Sequence, residues 1–176
     1  MQFDKTIPKN ADLFTKISQA MADAAGTVRK NPINRPRPNE VGNDIEQFVI
    51  KALNKVGLKA AAPRTREGKG KNTGYPDIRI ETGGIPIFLE VKTYARANQA
   101  TTQRSFYFSP TENPKVFEDG YHLLVGFEMT RNGNDFTPDA FKLLDLYGLE
   151  CDMKYEFNSD NKRLYHPERL LYAERL

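Results

Sequence analysis

The sequence predicts an α/β domain in which helices flank a mixed central β-sheet. Three observations predict this class: an amphipathic helix precedes a β-hairpin, a strongly apolar strand follows the hairpin, and further short strands and turns complete the chain. A chain that mixes helical and extended segments in this way packs its helices against a sheet. Because 176 residues suffice for one hydrophobic core, we expect a single domain spanning residues 1–176.

Two features organise the N-terminal part of the chain. A helix is predicted over about residues 10–25, because apolar residues recur there at helical spacing, and Gly26 is expected to end it. The apolar residues of this helix are Leu13, Phe14, Ile17, Met21 and Ala24. Residues 30–40 contain three prolines and are predicted to form an extended linker.

A second amphipathic helix is predicted from about Asn43 to Val56. Its apolar residues follow the i, i+3, i+4, i+7 pattern, and Gly57 is expected to end it. Asn43 or Asp44 is the expected N-cap, which places Glu46 in the first turn. At about 100° per residue, Glu46 lies at the border of the apolar stripe and could reach toward the sheet. The alternative is that Glu46 is a first-turn acid favoured by the helix dipole.

A β-hairpin is predicted for residues 75–94. Two β-rich runs flank Gly83-Gly84, a dipeptide typical of a tight two-residue turn. Counting outward from this turn places Asp77 directly opposite Glu90, on the same face of the hairpin. The face expected to pack in the core carries Ile78, Ile80, Ile87, Leu89 and Val91. The opposite face carries Asp77, Arg79, Phe88, Glu90 and Lys92.

The acidic pair on this hairpin suggests a metal site. Two opposed carboxylates would repel each other and raise the pKa of one of them. A hard cation such as Mg²⁺ removes that cost, because it binds a few carboxylate oxygens and keeps several waters. Lys92, two residues along the same face, would then lie close to whatever the metal binds. The alternative is an ordinary solvated face, although the run IPIFLEV indicates a buried strand, in which unpaired charges are costly.

These residues resemble the PD-(D/E)xK nuclease superfamily, and specifically type II restriction endonucleases. The matching pieces are GNDIEQFV at residues 42–49, PD at residues 76–77 and EVK at residues 90–92, in the family's order of helix and then hairpin. The resemblance implies a restriction-endonuclease-like fold with a mixed central sheet. It implies that Asp77 and Glu90 bind Mg²⁺ and that Lys92 positions or deprotonates the attacking water. Glu46 matches the family's helical acid, which supports the metal site in some members.

The function implied by the resemblance is Mg²⁺-dependent, site-specific cleavage of double-stranded DNA by a homodimer. A carboxylate-held Mg²⁺ can polarise a phosphoryl group and lower the pKa of a bound water, so the chemistry agrees with these residues. Two alternatives within nucleic-acid function stay open. One is a structure-specific nuclease, such as a junction resolvase or a repair or transposition nuclease. The other is a DNA-binding module with a degenerate nuclease site. A protein-interaction scaffold is the remaining possibility.

The distribution of charge favours nucleic acid more than the net charge does. The chain has 26 basic and 23 acidic residues, a net charge of only +3. However, basic residues concentrate on either side of the hairpin, and a basic rim around an acidic centre suits a phosphate backbone. The residues predicted to bind DNA are Arg64, Arg66, Lys69, Lys71, Arg96, Gln103 and Arg104. The alternative for residues 66–74 is a solvated, flexible loop.

Composition argues against membrane and secreted classes. No apolar run is long enough to span a bilayer, and the N-terminal residues MQFDKTIPKN lack the pattern of a signal peptide. Cys151 is the single cysteine, so an internal disulfide is excluded and a reducing, cytoplasmic setting is expected. His122 and His166 are far apart and are interpreted as ordinary polar residues.

The remaining predictions concern the outer elements of the domain. An edge strand is expected at residues 58–62, and further strands at residues 103–109 and 122–129. Asn132-Gly133 predicts a hairpin turn. Residues 140–146 and 153–157 are interpreted as two strands or as a short helix and a strand, and residues 167–173 as a terminal helical turn.

Overall fold

The computed structural model describes residues 1–70, 74–102, 105–108 and 110–175. Its longer helices are α1 (Pro8–Lys30) and α2 (Pro38–Lys55), and a single turn, α3 (Asn161–Leu164), follows near the end. The strands are β1 (Ile33–Asn34), β2 (Lys59–Ala61), β3 (Ile78–Glu81), β4 (Ile87–Tyr94), β5 (Tyr121–Asn132) and β6 (Asp135–Asp145). Short 3-10 helices occur at Arg96–Asn98 and Pro167–Arg169.

The described strands form one mixed sheet in the order β1-β6-β5-β4-β3-β2. The central pair, β4 and β5, is parallel, whereas the other neighbours are antiparallel. A parallel pair requires a crossover connection, and residues 95–120 provide it. The predicted α/β class with a mixed central sheet flanked by helices is therefore confirmed.

The core lies between the sheet and the helices α1 and α2, which pack against each other. The apolar face predicted for the hairpin belongs to this core, because all five of its residues are buried. These residues share one apolar cluster with Ile17, Met21 and Val28 of α1 and with Ile45, Val49 and Leu53 of α2. The hairpin is therefore anchored through its apolar face, which leaves its opposite face to carry the charged side chains.

The first helix is longer than predicted. Helix α1 runs from Pro8 to Lys30, so the expected end at Gly26 and the range 10–25 are too short. The apolar stripe continues through Ala24, Ala25 and Val28, which are all buried. Burial of this extra turn outweighs the roughly 1 kcal/mol that a glycine costs inside a helix.

The second helix starts earlier than predicted, and the linker is shorter. Helix α2 begins at Pro38 rather than near Asn43, with Arg37 as its N-cap, so Asn43 and Asp44 lie inside the helix. Proline is favoured in the first helical turn because its missing N–H would have no partner there. Within the range predicted as a linker, Ile33–Asn34 also form strand β1, which pairs with β6. Only part of residues 30–40 is therefore irregular.

The outer elements agree with the predictions in part. β2 forms the expected edge strand, and β5 and β6 are joined by the expected turn, in which Gly133 adopts a φ of 62°. Residues 140–145 belong to β6, whereas residues 153–157 carry no regular structure. The strand predicted at residues 103–109 is wrong for residues 105–108, and residues 103, 104 and 109 lie outside the described ranges.

Within the described part of the chain, no helix combines the length and the apolarity that crossing a membrane requires.

Candidate active site

The hairpin brings Asp77 and Glu90 together in the predicted register. Ile78 pairs with Leu89, and this pairing continues outward to put Asp77 opposite Glu90. Asp77 lies one residue before β3, and its Oδ2 accepts a hydrogen bond of 2.8 Å from the backbone N–H of Val91. The carboxylate of Asp77 is thus tied to the neighbouring strand beside Glu90. This tie fixes the position of one side chain of the acidic pair relative to the other.

Glu90 is a buried acid with one unsatisfied oxygen. It is only 4% exposed, and its Oε1 lies 2.6 Å from Nζ of Lys92. Its Oε2 is buried and makes no hydrogen bond with the described chain. Burial raises the pKa of Glu90, the contact with Lys92 opposes that effect, and the negative charge of Asp77 adds to it. An acid held in this way is stabilised by any additional cation that approaches Oε2.

Lys92 lies on the same strand as Glu90 and contacts it. It follows Glu90 by two residues on β4, so both side chains lie on the same face of the strand. Its side chain is 32% exposed, whereas that of Glu90 is buried. The ammonium therefore contacts the buried acid and also faces solvent, so it is accessible to a substrate.

Glu46 joins the acidic pair from helix α2. Glu46 lines the same cleft as Asp77 and Glu90. Burial and the negative charges of those two acids together raise the pKa of Glu46 to about 7. Because α2 begins at Pro38, Glu46 is two turns inside the helix and not in its first turn. The explanation of Glu46 by the helix dipole is therefore wrong, since that effect fades beyond the first turn.

The four residues line one open cleft of about 770 Å³. Its walls come from the first half of α2, from the segment just before β3, from the C-terminal ends of β4 and β5, from the start of β6 and from the segment after β4. Aromatic side chains and one arginine also line the cleft: Tyr75, Tyr94, Tyr107, Phe136 and Arg131. A cleft with acids at its centre, cations beside them and aromatic walls suits a polyanionic substrate better than an apolar one.

The donor set fits a hard divalent cation. Within the described ranges, no group of three or more His, Cys, Asp or Glu side chains is arranged closely enough to form a metal site by itself. Mg²⁺ does not need such a group, because it is commonly held by one or two carboxylates together with waters and substrate phosphate oxygens. The buried, unsatisfied Oε2 of Glu90 next to the carboxylate of Asp77 provides oxygen ligands of this kind.

Of the residues predicted to bind DNA, the four that the structure describes, Arg64, Arg66, Lys69 and Arg96, do not line the cleft. Arg64 donates to the carbonyl of Gly68, and Lys69 pairs with Glu67 at 2.9 Å, in a loop that does not line the cleft. Arg66 lies in the same loop. Lys71, Gln103 and Arg104 lie outside the described residues. DNA binding by this whole set stays a prediction.

Arg96 has a partner on the sheet. Its Nε lies 2.7 Å from Oε1 of Glu128, a buried acid on β5, while the arginine side chain is 82% exposed. Arg96 follows the cleft-lining residue Ala95 in the chain but does not itself line the cleft. In the structure Arg96 therefore pairs with the charge of Glu128. Contact of Arg96 with DNA stays a prediction.

Three residues near the site gave no functional signal in the sequence. Tyr75 lines the cleft, and its hydroxyl forms a 2.6 Å hydrogen bond with Nδ1 of His122, whose pKa is lowered by burial. Lys115 is buried and bonds to the backbone just before Asp77. Arg131 lines the cleft from the end of β5. Only the position of Tyr75 beside the PD dipeptide could have drawn attention, because the others are distant in sequence.

Comparison with known proteins covers nearly the whole chain. The sequence model of the type II restriction enzyme MjaV family matches residues 1–168. A curated relative from Methanocaldococcus jannaschii, described as "Type II restriction enzyme MjaV", is 35% identical over 175 residues, covering 94% of this chain and 76% of the relative. No solved structure gives a significant match. The family match extends across the hairpin and the helix that form the cleft.

Proposed function

Because this chain belongs to the type II restriction enzyme MjaV family, we propose that it is a Mg²⁺-dependent, site-specific endonuclease of double-stranded DNA. One observation supports the proposed location of the active site. Asp77, Glu90 and Lys92 line a single cleft, and one buried oxygen of Glu90 has no hydrogen-bond partner in the described chain. Glu46 lines the same cleft. The combination of hard oxygen ligands and an adjacent ammonium is suited to phosphodiester hydrolysis.

Each residue has a distinct part in this proposal. Asp77 and Glu90 would hold Mg²⁺, which, when bound, supplies phosphoryl polarisation and a water of lowered pKa. Lys92 keeps its ammonium 2.6 Å from Glu90 while remaining accessible, so it can orient the attacking water or contact a non-bridging phosphate oxygen. The bond from the N–H of Val91 keeps Asp77 from rotating away. Glu46 adds a third acid whose charge state responds to the other two.

The direct test is cleavage of plasmid DNA with Mg²⁺, followed by sequencing of the fragment ends. We expect a discrete set of fragments with one common end sequence and no cleavage in the presence of excess chelator. Lys92→Ala and Asp77→Ala should fold but lose cleavage by orders of magnitude. Lys51→Ala is the matched control, because Lys51 is an exposed lysine on α2 that does not line the cleft.

Three results would contradict the proposal. The site assignment fails if Lys92→Ala and Asp77→Ala cut as fast as the wild-type protein. The substrate assignment fails if a four-way DNA junction is cut in preference to duplex plasmid, because that outcome selects a structure-specific nuclease. Tight DNA binding without any Mg²⁺-dependent cleavage would instead indicate a binding module.

We also propose that the enzyme is a homodimer held by its C-terminal segment, residues 147–175. Every residue of this segment is exposed, although it contains many large apolar side chains. They are Tyr147, Leu149, Met153, Tyr155, Phe157, Leu164, Tyr165, Leu170, Leu171 and Tyr172. Soluble proteins rarely leave so much apolar surface uncovered unless it meets a partner. A second copy is the favoured partner, because two active sites can cut the two strands of a symmetric DNA sequence.

The apolar area of the segment is sufficient for a stable dimer. At roughly 150 Å² for each buried aromatic side chain, its five aromatic residues alone would bury about 750 Å² in each subunit. A standard protein interface buries about 800 Å² per partner. Light scattering should therefore give the mass of a dimer for the full chain. The double variant Tyr155→Asp, Leu171→Asp should shift it toward monomer, and an unchanged dimer would refute this role for the segment.

A further inference from the structure

Lys115 is a buried lysine whose charge is bonded to the backbone of the active site. It lies in the irregular connection between β4 and β5 and is only 6% exposed. Its Nζ donates hydrogen bonds of 2.6 Å to the carbonyl of Gly74 and 3.0 Å to that of Pro76. A buried ammonium is costly unless polar groups surround it. Such a residue therefore indicates a specific role for its charge or for its hydrogen bonds.

The two carbonyls belong to the segment that carries Asp77. Pro76 is the residue immediately before Asp77, and Gly74 lies two residues earlier, so Lys115 holds this segment at two points. The side chain of Asp77 is held at a third point by the N–H of Val91. Thus the backbone entering Asp77 is fixed by Lys115, and its carboxylate is fixed by β4.

The positive charge of Lys115 also acts on the acidic cleft. It lies near enough to Glu46 to lower the pKa of that acid against the effect of burial, as Lys92 also does. Three acids line the cleft, namely Glu46, Asp77 and Glu90. The positive charges of Lys92, which also lines it, and of Lys115 behind it both favour the ionised form of Glu46. Lys92 faces the solvent side, whereas Lys115 is enclosed by the chain.

We propose that Lys115 is a positioning residue for the metal site: its ammonium fixes the backbone from Gly74 to Pro76 and thereby places the carboxylate of Asp77 for binding a divalent cation. The proposal rests on the proposed function for two points only: which cation binds at the site and which reaction that cation serves. Because Lys115 is only 6% exposed, this proposed role acts through Asp77 and requires no contact with the substrate. Residues that orient metal ligands in this way change metal affinity by about 10- to 100-fold when they are removed.

The test compares Lys115→Met and Lys115→Arg with the wild-type protein and with Lys51→Met as an exposed control. Binding of Mn²⁺ alone is measured by titration with magnetic-resonance detection, since Mn²⁺ uses the same oxygen ligands as Mg²⁺. Cleavage is measured in parallel as a function of Mg²⁺ concentration. We expect Lys115→Met to weaken Mn²⁺ binding by about 10-fold or more and to raise the Mg²⁺ concentration for half-maximal cleavage similarly. Lys115→Arg, which keeps the charge, should be intermediate.

The outcomes separate positioning from a purely structural role. A structural role would lower the fraction of folded protein and thus the cleavage rate at every Mg²⁺ concentration, without moving the half-maximal concentration. That result, or unchanged Mn²⁺ affinity in folded Lys115→Met, overturns the proposal. If Lys115→Met does not fold, Lys115→Gln, which keeps an N–H donor, is judged by the same criteria. If the wild-type protein cuts no DNA, the proposed function fails, and the Mn²⁺ titration still decides the role of Lys115.

Discussion

Glu46 offers a test of the acidic cluster that requires no DNA. In the folded protein its pKa is raised from 4.5 to about 7, by burial and by the charges of Asp77 and Glu90. Below pH 4.5 the carboxyl is largely protonated in both the folded and the unfolded chain, so its charge costs little. Above pH 7 it is ionised in both, and the folded state bears the unfavourable burial and repulsion. Ionisation of Glu46 therefore lowers the free energy of unfolding as the pH rises from 4.5 to about 7. Below this range the protein keeps the full contribution of the protonated acid, and above it that contribution is lost.

The magnitude follows from the size of the pKa change. Raising the pKa from 4.5 to about 7 corresponds to about 3 kcal/mol, at roughly 1.4 kcal/mol for each pH unit. Glu46 is half-buried, and solvent screens part of this interaction, so we expect about 1–2 kcal/mol. The substitution Glu46→Gln removes the charge and keeps the shape. It should raise the free energy of unfolding by that amount at pH 8 and change it little at pH 4.5.

Urea unfolding at both pH values measures this difference. The control is Glu40→Gln, which alters an acid in the first turn of the same helix that does not line the cleft. That variant should lose a few tenths of a kcal/mol, because a negative charge near a helix N-terminus is favourable. Adding Mg²⁺ at pH 8 should reduce the difference in the free energy of unfolding between the wild-type protein and Glu46→Gln. An equal effect of Glu46→Gln at both pH values, or a loss of stability at pH 8, would refute the reasoning.

Two further predictions concern packing and an ion pair. Gly120→Ala should destabilise the fold by about 1–3 kcal/mol, because the added Cβ would lie 2.6 Å from the ring of Phe88. Gly26→Ala should instead stabilise the fold by about 0.5–1 kcal/mol, because no atom lies near the added Cβ at this position inside α1. Equal effects of these two alanines in urea unfolding would contradict the packing described. Arg96→Ala should lower the urea concentration at the unfolding midpoint, since it leaves the buried carboxylate of Glu128 without its arginine, and the same loss in 1 M salt as in dilute buffer would argue against an electrostatic cause.

The hairpin shows what local sequence determines. Gly83 adopts a φ of 67°, a conformation that glycine tolerates and most residues avoid. Once that turn is set, the two-residue period of a strand decides the register and the face of every side chain. The pairing of Ile78 with Leu89 and the neighbouring positions of Asp77 and Glu90 were therefore predictable. The amphipathic pattern of α2 determined in the same way that Glu46 borders the core.

The boundaries of α1 and α2 depend on tertiary packing, which cannot be read from the residue types near the helix ends. A cap at Asn43 and an end at Gly26 both had support in the residue types, yet α2 begins at Pro38 and α1 continues to Lys30. The extra turns bury Val28 and Val41 in the shared core. Such contacts contribute more free energy than the preference of one residue for a helix end.

The sequence by itself determined the identity and relative order of Asp77, Glu90 and Lys92, because one turn and one strand period link them. Only the tertiary structure decided that Glu46 lines the same cleft as that pair and that Lys115, 39 residues after Pro76, bonds to the backbone entering Asp77. The physical reason is the separation along the sequence over which each kind of interaction acts. Backbone preferences act over a few residues, whereas the burial that brings a charged group to a distant carbonyl depends on how the whole sheet and its connections pack.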